Sequence, residues 1–272
     1  MDPFERLRDG SRWMWSLGDY GDLARYLQPH AEALAAIVDI RPATRVLDVA
    51  AGNGNFSIAA AQRGAYVTAS DLTPKMIELG RARTAAEGLN IDWQEADAEQ
   101  LPYPDDHYDV VASVFGAMFA PRPERVAAEL FRVTKPGGVV AMANYARAGF
   151  LGSFSDLLIS YSLAPPGGVE LPSPFAWGDQ AEVQRRFAGK TSSLRLESRT
   201  IRFAFPSMDA GFHFWERTNP PLMALKMMLP SERYQQLRTE GAELMRATNG
   251  ATDGSLVLDS EYLSVVAYKS QR

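Results

Sequence analysis

From Arg45 onward, short apolar runs alternate with helical segments, and this alternation constrains the fold more than any other feature of the chain. The apolar runs include VLDVA, YVTASD, DVVASVFG and GGVVAMANY, and the segments between them include PKMIELGRARTAAEG and RPERVAAELFRVT. Short, continuous apolar strands separated by helices are typical of a parallel sheet that is covered on both faces. The sequence therefore predicts a doubly wound α/β fold.

The same pattern divides the chain into four predicted parts. Residues 1–43 have helical spacing and form a helical cap, and residues 44–148 form the α/β core. Residues 149–190 are rich in proline, glycine and aromatic side chains, which favours a lid inserted after the core. Residues 191–272 complete the sheet and add further lid helices. There, SLRLESRTIRFAF and YLSVVAYK read as a late pair of strands, which fits an antiparallel addition at a sheet edge.

Composition excludes several classes of site and partner. The chain has 272 residues, 28 Lys and Arg against 33 Asp and Glu, and a net charge of -5, so a nucleic-acid footprint is not expected. It has no cysteine, which excludes disulfides and thiolate chemistry. We see no His, Asp or Glu spacing typical of a metal site. The N-terminus lacks an apolar signal region and no segment is long enough to span a membrane, so a cytoplasmic protein is predicted.

Two glycines mark the turn from the first strand into its helix. Gly52 and Gly54 allow left-handed backbone and the close approach of a ligand, and the helix N–H groups then point at that ligand. Ser57 stands where a dinucleotide-binding loop would have its third glycine. The two glycines alone are compatible with a nucleotide-like cofactor or with a tight turn of no further function.

Acidic residues at the ends of the next strands strengthen the cofactor interpretation. Asp71 ends the second strand, where a carboxylate accepts ribose hydroxyls, although a helix cap is an alternative. Asp97 and Ala98 follow the third strand and would suit an adenine edge. Asp48 precedes the glycines, where it would repel a pyrophosphate but suit a ligand with ammonium and sulfonium charges. The electrostatics therefore favour S-adenosylmethionine over a dinucleotide.

Four segments resemble the successive motifs of class I S-adenosylmethionine-dependent methyltransferases. They are VLDVAAGNGNF, VTASDLTPKMIELGRAR, EADAEQLPYPDDHYDVVASVFGAMF and ELFRVTKPGGVVAM, and the nearest branch is that of the ubiquinone/menaquinone-biosynthesis C-methyltransferases. The resemblance covers roughly residues 44–145. It implies a seven-stranded Rossmann-like sheet, mostly parallel with an antiparallel C-terminal strand, together with a helical lid.

The resemblance also implies roles for individual residues. In the cofactor site, Asp48, Ala50, Gly52 and Gly54 would line the methionine end, Asp71 would bind the ribose, Leu72 and Met76 would pack beside the adenine, Asp97 and Ala98 would hold its edge, and Ser113 and Phe115 would lie near the methyl group. Ala50 departs from the glycine usual in the family. The segment WMWSLGDYGDLARYL resembles the helix that covers the cofactor, with Tyr20 as its contact.

The predicted reaction is an in-line methyl transfer to a small, hydrophobic or aromatic metabolite at an O, N or C atom. Such a transfer depends on alignment and water exclusion, and needs a base only if the acceptor must lose a proton. Among the three histidines, His213 is the candidate base or substrate contact, because it lies among aromatic residues of the predicted lid. The alternatives are a protein or RNA methyltransferase, a catalytically idle cofactor-binding protein and, more distantly, a nicotinamide oxidoreductase.

Overall fold

The protein is built on a single seven-stranded sheet. The computed structural model describes residues 2–18 and 20–271. The strands are β1 (Arg45–Val49), β2 (Tyr66–Asp71), β3 (Ile91–Glu95), β4 (Tyr108–Val114), β5 (Thr134–Gly149), β6 (Thr191–Phe205) and β7 (Leu256–Lys269). Their order across the sheet is β3-β2-β1-β4-β5-β7-β6. Strands β1 to β5 pair in parallel, whereas β7 is antiparallel to both of its neighbours.

This topology confirms the predicted fold class and refines the position of the last strands. The mostly parallel sheet with an antiparallel C-terminal strand is present as expected. However, β7 lies between β5 and β6 rather than at the edge, and β6 is the edge strand. Because β6 is antiparallel to β7, it runs in the same direction as β5. The connection after β5 therefore carries the chain outward to the edge strand β6, and the connection after β6 carries it back inward to β7.

Helices cover both faces of the sheet. The N-terminal pair is α1 (Pro3–Trp15) and α2 (Tyr20–Ile37), and the crossovers of the core contain α3 (Asn55–Ala61), α4 (Pro74–Ala86) and α5 (Pro123–Val133). After β5 come α6 (Phe150–Tyr161) and α7 (Gln180–Phe187), and between β6 and β7 come α8 (Met208–Thr218), α9 (Pro220–Met228) and α10 (Ser231–Thr248). None of the helices in the described part of the chain is long and apolar enough to cross a bilayer.

The two N-terminal helices differ in how they are held. Helix α2 buries a stripe that includes Leu23, Leu27 and Leu34, and it packs on β5 and β6. Helix α1 has no buried residue at all. Because most helical stability in proteins comes from packing an apolar face, α1 is the less firmly attached of the two. It lies over the carboxyl ends of the strands, where it bears on the site described below.

Aromatic residues of the predicted lid pack together and are continuous with the core of the sheet. The ring centroids of Phe150 and Phe154 lie 5.1 Å apart, and that of Trp215 lies 5.4 Å from Phe150 and 5.0 Å from Phe203 on β6. All four side chains are buried. These aromatic residues attach the helices after β5 to the outer strands of the sheet.

Candidate active site

The principal pocket opens at the carboxyl ends of β1, β2 and β4, where the order of the parallel strands reverses. Ligands bind at this position in open α/β sheets, because neighbouring crossovers leave on opposite faces and a crevice remains between them. The pocket has a volume of about 960 Å³, part of it open to solvent. Its core side includes Ala50, Gly52, Asp71, Leu72, Met76, Asp97, Ala98, Glu99, Phe115, Gly116 and Ala117, and its cover includes Phe4, Glu5, Arg8, Ser11 and Trp15 of α1 together with Tyr20 of α2.

The glycine loop forms one wall of the pocket, and its two glycines have different tasks. Gly52 has φ +57°, and a Cβ added there would lie 3.1 Å from Cε1 of Tyr20, so glycine admits the tyrosine ring over the loop. Gly54 has φ +91° and caps α3. A Cβ added at Gly54 would lie 2.9 Å from Cζ2 of Trp93 on β3, so glycine leaves room for the indole ring. Gly54 is not among the residues that line the pocket, and glycine is required there by the turn and by Trp93.

Asp71 connects the glycine loop to the start of α4. Its Oδ2 accepts a hydrogen bond from the Gly52 N–H at 2.8 Å, and its Oδ1 accepts one from the Thr73 N–H at 2.8 Å. The residue lines the pocket and is 8% exposed, and burial raises its pKa while the backbone hydrogen bonds oppose that rise. Each carboxylate oxygen keeps acceptor capacity beyond one backbone bond. Asp71 is therefore placed to accept hydroxyl groups from a ligand.

Asp48, which was predicted to line the methionine end of the cofactor site, is buried at the end of β1 and is not part of the pocket surface. It is 1% exposed, and its Oδ2 accepts hydrogen bonds from the Ser57 N–H at 3.0 Å and from the Ser57 Oγ at 2.6 Å. Burial raises the pKa of this carboxyl to about 7. Ser57, in the place of a third glycine, is thus the hydrogen-bond partner of Asp48. The sequence contained both residues, but not the contact between them.

The far end of the pocket from the glycine loop contains an ion pair that sequence reasoning missed. Glu99 is 6% exposed and accepts hydrogen bonds from the Arg122 N–H at 2.6 Å and from its Nε at 2.5 Å. The Arg122 guanidinium lies 4.6 Å from the ring centroid of Phe4 on α1. Asp97 also lines this end, and its Oδ1 accepts the Glu99 N–H at 2.9 Å. The sequence signal for this ion pair was the stretch DAEQ after β3, where the acid Glu99 follows Asp97 by two residues.

Apolar residues line the pocket beside Asp71. Leu72 and Met76 follow β2 and Ala98 follows β3, and all three contribute to the wall. Met76 is 4% exposed and Ala98 is 9% exposed, so their surfaces are packed and fixed. This arrangement offers a flat ring an apolar slot next to two carboxylates.

Aromatic side chains enclose one end of the pocket. The Trp15 and Phe119 ring centroids are 4.9 Å apart, and the ring of Tyr20 meets Trp15 edge-on at 6.4 Å. Phe115 stacks on Tyr145 at 4.4 Å with an interplanar angle of 15°. Phe115 also has φ +55°, a costly conformation for a bulky residue that is often found at functional sites.

Ser113 supports this end without lining the pocket. Its Oγ accepts a hydrogen bond from the Ala117 N–H at 2.9 Å, and the residue is 1% exposed. Its hydroxyl holds the turn after β4, and that turn places Phe115 at the pocket.

His213, which was predicted to be the base or substrate contact, does not line this pocket. It is exposed on α8 and borders a separate groove between α8 and α10, together with Glu216 and Arg238. Its neighbours Phe212 and Phe214 are buried. The aromatic sequence context suggested burial, but α8 turns position 213 outward to solvent.

His30 is the histidine nearest to the aromatic end. Its Nδ1 is 3.1 Å from the Tyr262 Oη, and its ring meets Phe115 edge-on at 6.5 Å. Burial and the charge of Arg199 lower the pKa of His30. The imidazole is therefore a neutral link between α2 and β7, behind Phe115. Within residues 2–18 and 20–271, no three His, Cys, Asp or Glu side chains are grouped so that they could hold a metal ion.

Comparison with known proteins gives one family and one fold. Residues 47–142 match the family model of a methyltransferase domain. Two uncharacterized proteins of Mycobacterium tuberculosis are 39% and 42% identical to the chain, each over 95% of the chain and 93% of its own length. A ubiquinone/menaquinone biosynthesis C-methyltransferase of Ectopseudomonas mendocina is 36% identical over 64% of the chain and 66% of its own length.

Two solved structures support the architecture. The YcgJ protein of Bacillus subtilis superposes with a TM-score of 0.60 at 19% identity, covering 89% of the chain and 99% of that protein. A methyltransferase-like protein of Bacillus halodurans gives a TM-score of 0.58 at 22% identity, covering 88% of the chain and 98% of that protein. At these identities the similarity concerns the fold alone.

Proposed function

Because this chain belongs to the class I S-adenosylmethionine-dependent methyltransferases, we propose that its reaction is methyl transfer to a small, hydrophobic or aromatic metabolite at an O, N or C atom. The observation that carries the proposal is the mixed lining of the pocket. The carboxylates of Asp71 and Asp97 and the rings of Trp15, Tyr20 and Phe115 line the same space. A ligand that joins a polar nucleoside to a reactive sulfonium group matches this lining.

The residues present fit the nucleoside part of S-adenosylmethionine. Asp71 would accept the ribose hydroxyls, because its oxygens face the pocket with acceptor capacity left after binding Gly52 and Thr73. Leu72, Met76 and Ala98 would hold the adenine in the apolar slot, and Asp97 would accept its amino group. When bound, the cofactor would supply a methyl group on a positively charged sulfur. A nucleophile attacks the methyl carbon, and the sulfur leaves as a neutral thioether.

The aromatic end would hold the acceptor and keep water away from the transfer. Rings are large apolar surfaces that bind flat or hydrophobic molecules, and their negative faces also tolerate a positive charge. Tyr20 is partly buried, and burial of its phenol together with the charges of Asp71 and Asp48 raises the pKa of that phenol. Its hydroxyl therefore stays protonated near neutral pH and donates a hydrogen bond rather than acting as a base. The contribution of these residues is alignment and exclusion of water.

Calorimetric titration tests the proposal. The purified protein is titrated with S-adenosylmethionine and, separately, with NADH, and the first titration is repeated with Asp71→Ala. Loss of a charge-assisted acceptor is expected to weaken binding by roughly 10- to 100-fold. Asp92→Asn, which alters an exposed carboxylate on β3, and His213→Ala are matched controls that should bind like the wild type.

Two outcomes would contradict the proposal. One is binding of NADH without binding of S-adenosylmethionine, and the other is binding that is indifferent to Asp71→Ala. A metabolite screen then scores the mass gained when one hydrogen is replaced by a methyl group. Cofactor binding with no such product from any small molecule, but with methylated protein or RNA, would reassign the acceptor. Binding with no product of any class would favour the idle cofactor-binding alternative.

A further inference from the structure

Asp48 is a buried acid, and only one of its two carboxyl oxygens has hydrogen-bond donors. Its Oδ2 has two donors, both from Ser57, whereas its Oδ1 is buried and has no hydrogen-bond partner. The side chain is almost completely removed from water, with 1% exposure. A buried carboxylate with an unsatisfied oxygen is costly unless it holds a proton or faces a positive charge.

The groups around Asp48 do not supply that positive charge. Its strand neighbours are Ala69 on β2 and Ala112 on β4, and Ser57 faces it from α3. The ionisable groups that face it are Asp71, at the end of β2, and Tyr20, at the start of α2. The first is an acid and the second is neutral, so neither stabilises a negative charge at Asp48. In the ligand-free protein these surroundings favour the protonated acid.

Asp48 nevertheless acts on the pocket electrostatically. Asp71 and Tyr20 both line the pocket, and Asp48 interacts with the charge states of both. It also lies two residues before Ala50, which lines the pocket directly. A positive charge placed in this part of the pocket would therefore stabilise the Asp48 carboxylate, because that carboxylate is itself removed from water.

We propose that Asp48 is a proton-releasing counter-charge, protonated in the empty pocket and ionised when a positively charged ligand occupies it. This inference rests on the proposed function, in which the ligand is S-adenosylmethionine. On binding, the O–H bond of the Asp48 carboxyl breaks, the proton passes to the solvent buffer, and the carboxylate remains opposite the cation. Ser57 stabilises that carboxylate with its two hydrogen bonds.

The consequence is discrimination between cofactor and product. S-adenosylmethionine carries a sulfonium, an ammonium and a carboxylate, which leaves one net positive charge. Its product S-adenosylhomocysteine is a neutral thioether with no net charge. Asp48 ionises for the first and not for the second, so rising pH favours the cofactor over the product. Since burial raises the pKa of Asp48 to about 7, this preference changes across neutral pH.

The test is calorimetry in pairs of buffers with different ionisation enthalpies, such as phosphate and Tris, at the same pH. The dependence of the measured heat on the buffer gives the number of protons released. At about pH 6, S-adenosylmethionine is expected to release close to one proton more than S-adenosylhomocysteine does. Its affinity is expected to rise about tenfold from about pH 6 to about pH 8, over and above any change in the Asp48→Asn variant.

Two variants assign the proton. Asp48→Asn cannot ionise, and its difference in proton release between the two ligands should disappear while both ligands still bind. Ser57→Ala removes the hydroxyl donor to the carboxylate, so the midpoint of the pH dependence should move upward. This second variant keeps the acid and serves if the first fails to fold, which far-ultraviolet circular dichroism would show.

The outcomes separate this inference from the proposed function. Equal proton release by the two ligands, or release that persists unchanged in Asp48→Asn, would overturn the role of Asp48 and leave methyl transfer intact. A midpoint that is unmoved in Ser57→Ala would do the same. Failure of the wild type to bind S-adenosylmethionine at all would overturn the proposed function and this inference with it.

Discussion

At position 57 a serine stands where a dinucleotide-binding loop has glycine, and its side chain explains why a carboxylate is tolerated at position 48. Ser57 gives Asp48 two hydrogen bonds inside the protein, at 3.0 Å and 2.6 Å. A glycine at position 57 would keep the backbone donor and lose the hydroxyl. The two positions therefore form one unit, and neither is understood from its place in the motif alone.

Asp48→Asn should change how the stability of the ligand-free protein depends on pH. The folded-state pKa of Asp48 is about 7 against 3.8 for the ordinary side chain, so between these values the unfolded chain has already lost the proton. The stability that comes from burying the protonated acid is therefore lost as the pH rises toward 7. Relative to wild type, the Asn variant should gain on the order of 2 kcal/mol in free energy of unfolding between about pH 5 and about pH 8.

Urea denaturation of both proteins at the two pH values measures this gain. Asp71 also titrates, but it is present in both proteins and its contribution cancels in the difference. Asn leaves a buried donor where Asp48 has its unpartnered oxygen, which shifts the variant's stability by a similar amount at every pH. A constant difference between the two proteins from acid to alkaline pH would show that Asp48 does not titrate in this range.

Among the elements, α1 is the one whose attachment is weakest and whose position matters most to the pocket. Phe4, Arg8, Ser11 and Trp15 recur at helical spacing and line the pocket, so a single face of the helix forms its cover. None of these residues is buried. The contacts that hold the helix include those of Arg12 with Leu72 and Glu95, of Phe4 with Arg122 and of Trp15 with Phe119, together with packing against α9.

Arg12→Ala should loosen this cover. The Arg12 Nε donates to the Leu72 carbonyl at 3.1 Å, and its guanidinium pairs with Glu95. A partly exposed ion pair and one hydrogen bond together contribute about 1–2 kcal/mol. We expect the affinity for S-adenosylmethionine to fall roughly 5- to 20-fold, mainly through faster dissociation, since contacts of this kind act mostly on the off-rate. Stopped-flow release of the cofactor measures the change.

The melting temperature separates a cover from a structural support. Because α1 has no buried residue, Arg12→Ala should leave the melting temperature of the ligand-free protein within a few degrees of wild type, about what a change of ~1 kcal/mol produces. Arg25→Ala is the matched control: its side chain is 81% exposed on α2, where it pairs with Asp22. If Arg12→Ala and Arg25→Ala release the cofactor at the same rate, α1 does not retain it.

At the scale of the whole molecule, the repeated alternation of strands and helices could be predicted from the sequence, whereas the direction in which individual side chains point could not. The alternation of apolar strands and helices is local and repeated, so it identified the sheet and the edge of the sheet that holds the site. Asp71 and Asp97 follow their strands directly and lie at that edge. Whether a side chain points into the pocket or below it depends on packing between distant segments. Asp48 and Ser113 therefore make hydrogen bonds within the protein that their places in the sequence do not reveal.

The same reason applies outside the core. His213 has aromatic neighbours in the sequence, but helix periodicity turns it away from them. The ion pair in the pocket wall joins Glu99 to Arg122, which is 23 residues later in the chain. No local sequence pattern indicates a contact over that separation. The insertion of β7 between β5 and β6 is likewise a long-range pairing. Local order could be predicted, whereas the contacts between segments could not.

Hydrogen exchange across the molecule should show that cofactor binding acts on one side of the sheet. Strands β1 and β4 are buried on both faces, and Val46, Leu47, Val111 and Ala112 are completely inaccessible. Their amides should exchange only through global opening, whereas α1, with no buried residue, should exchange through local opening. S-adenosylmethionine should slow exchange most strongly in α1 and in residues 50–54, by roughly 10- to 100-fold at saturating concentration.

The helices packed on the far strands provide the internal comparison. α8 and α10 border the groove that contains His213 and contribute no residue to the pocket among those described, so their local exchange should be nearly unchanged by the cofactor. NADH, added at the same concentration, should protect none of these segments. Protection that centres on α8 and α10 would place the ligand in the groove beside His213. Protection of residues 50–54 without α1 would mean that the helix lies over the pocket without closing on its contents.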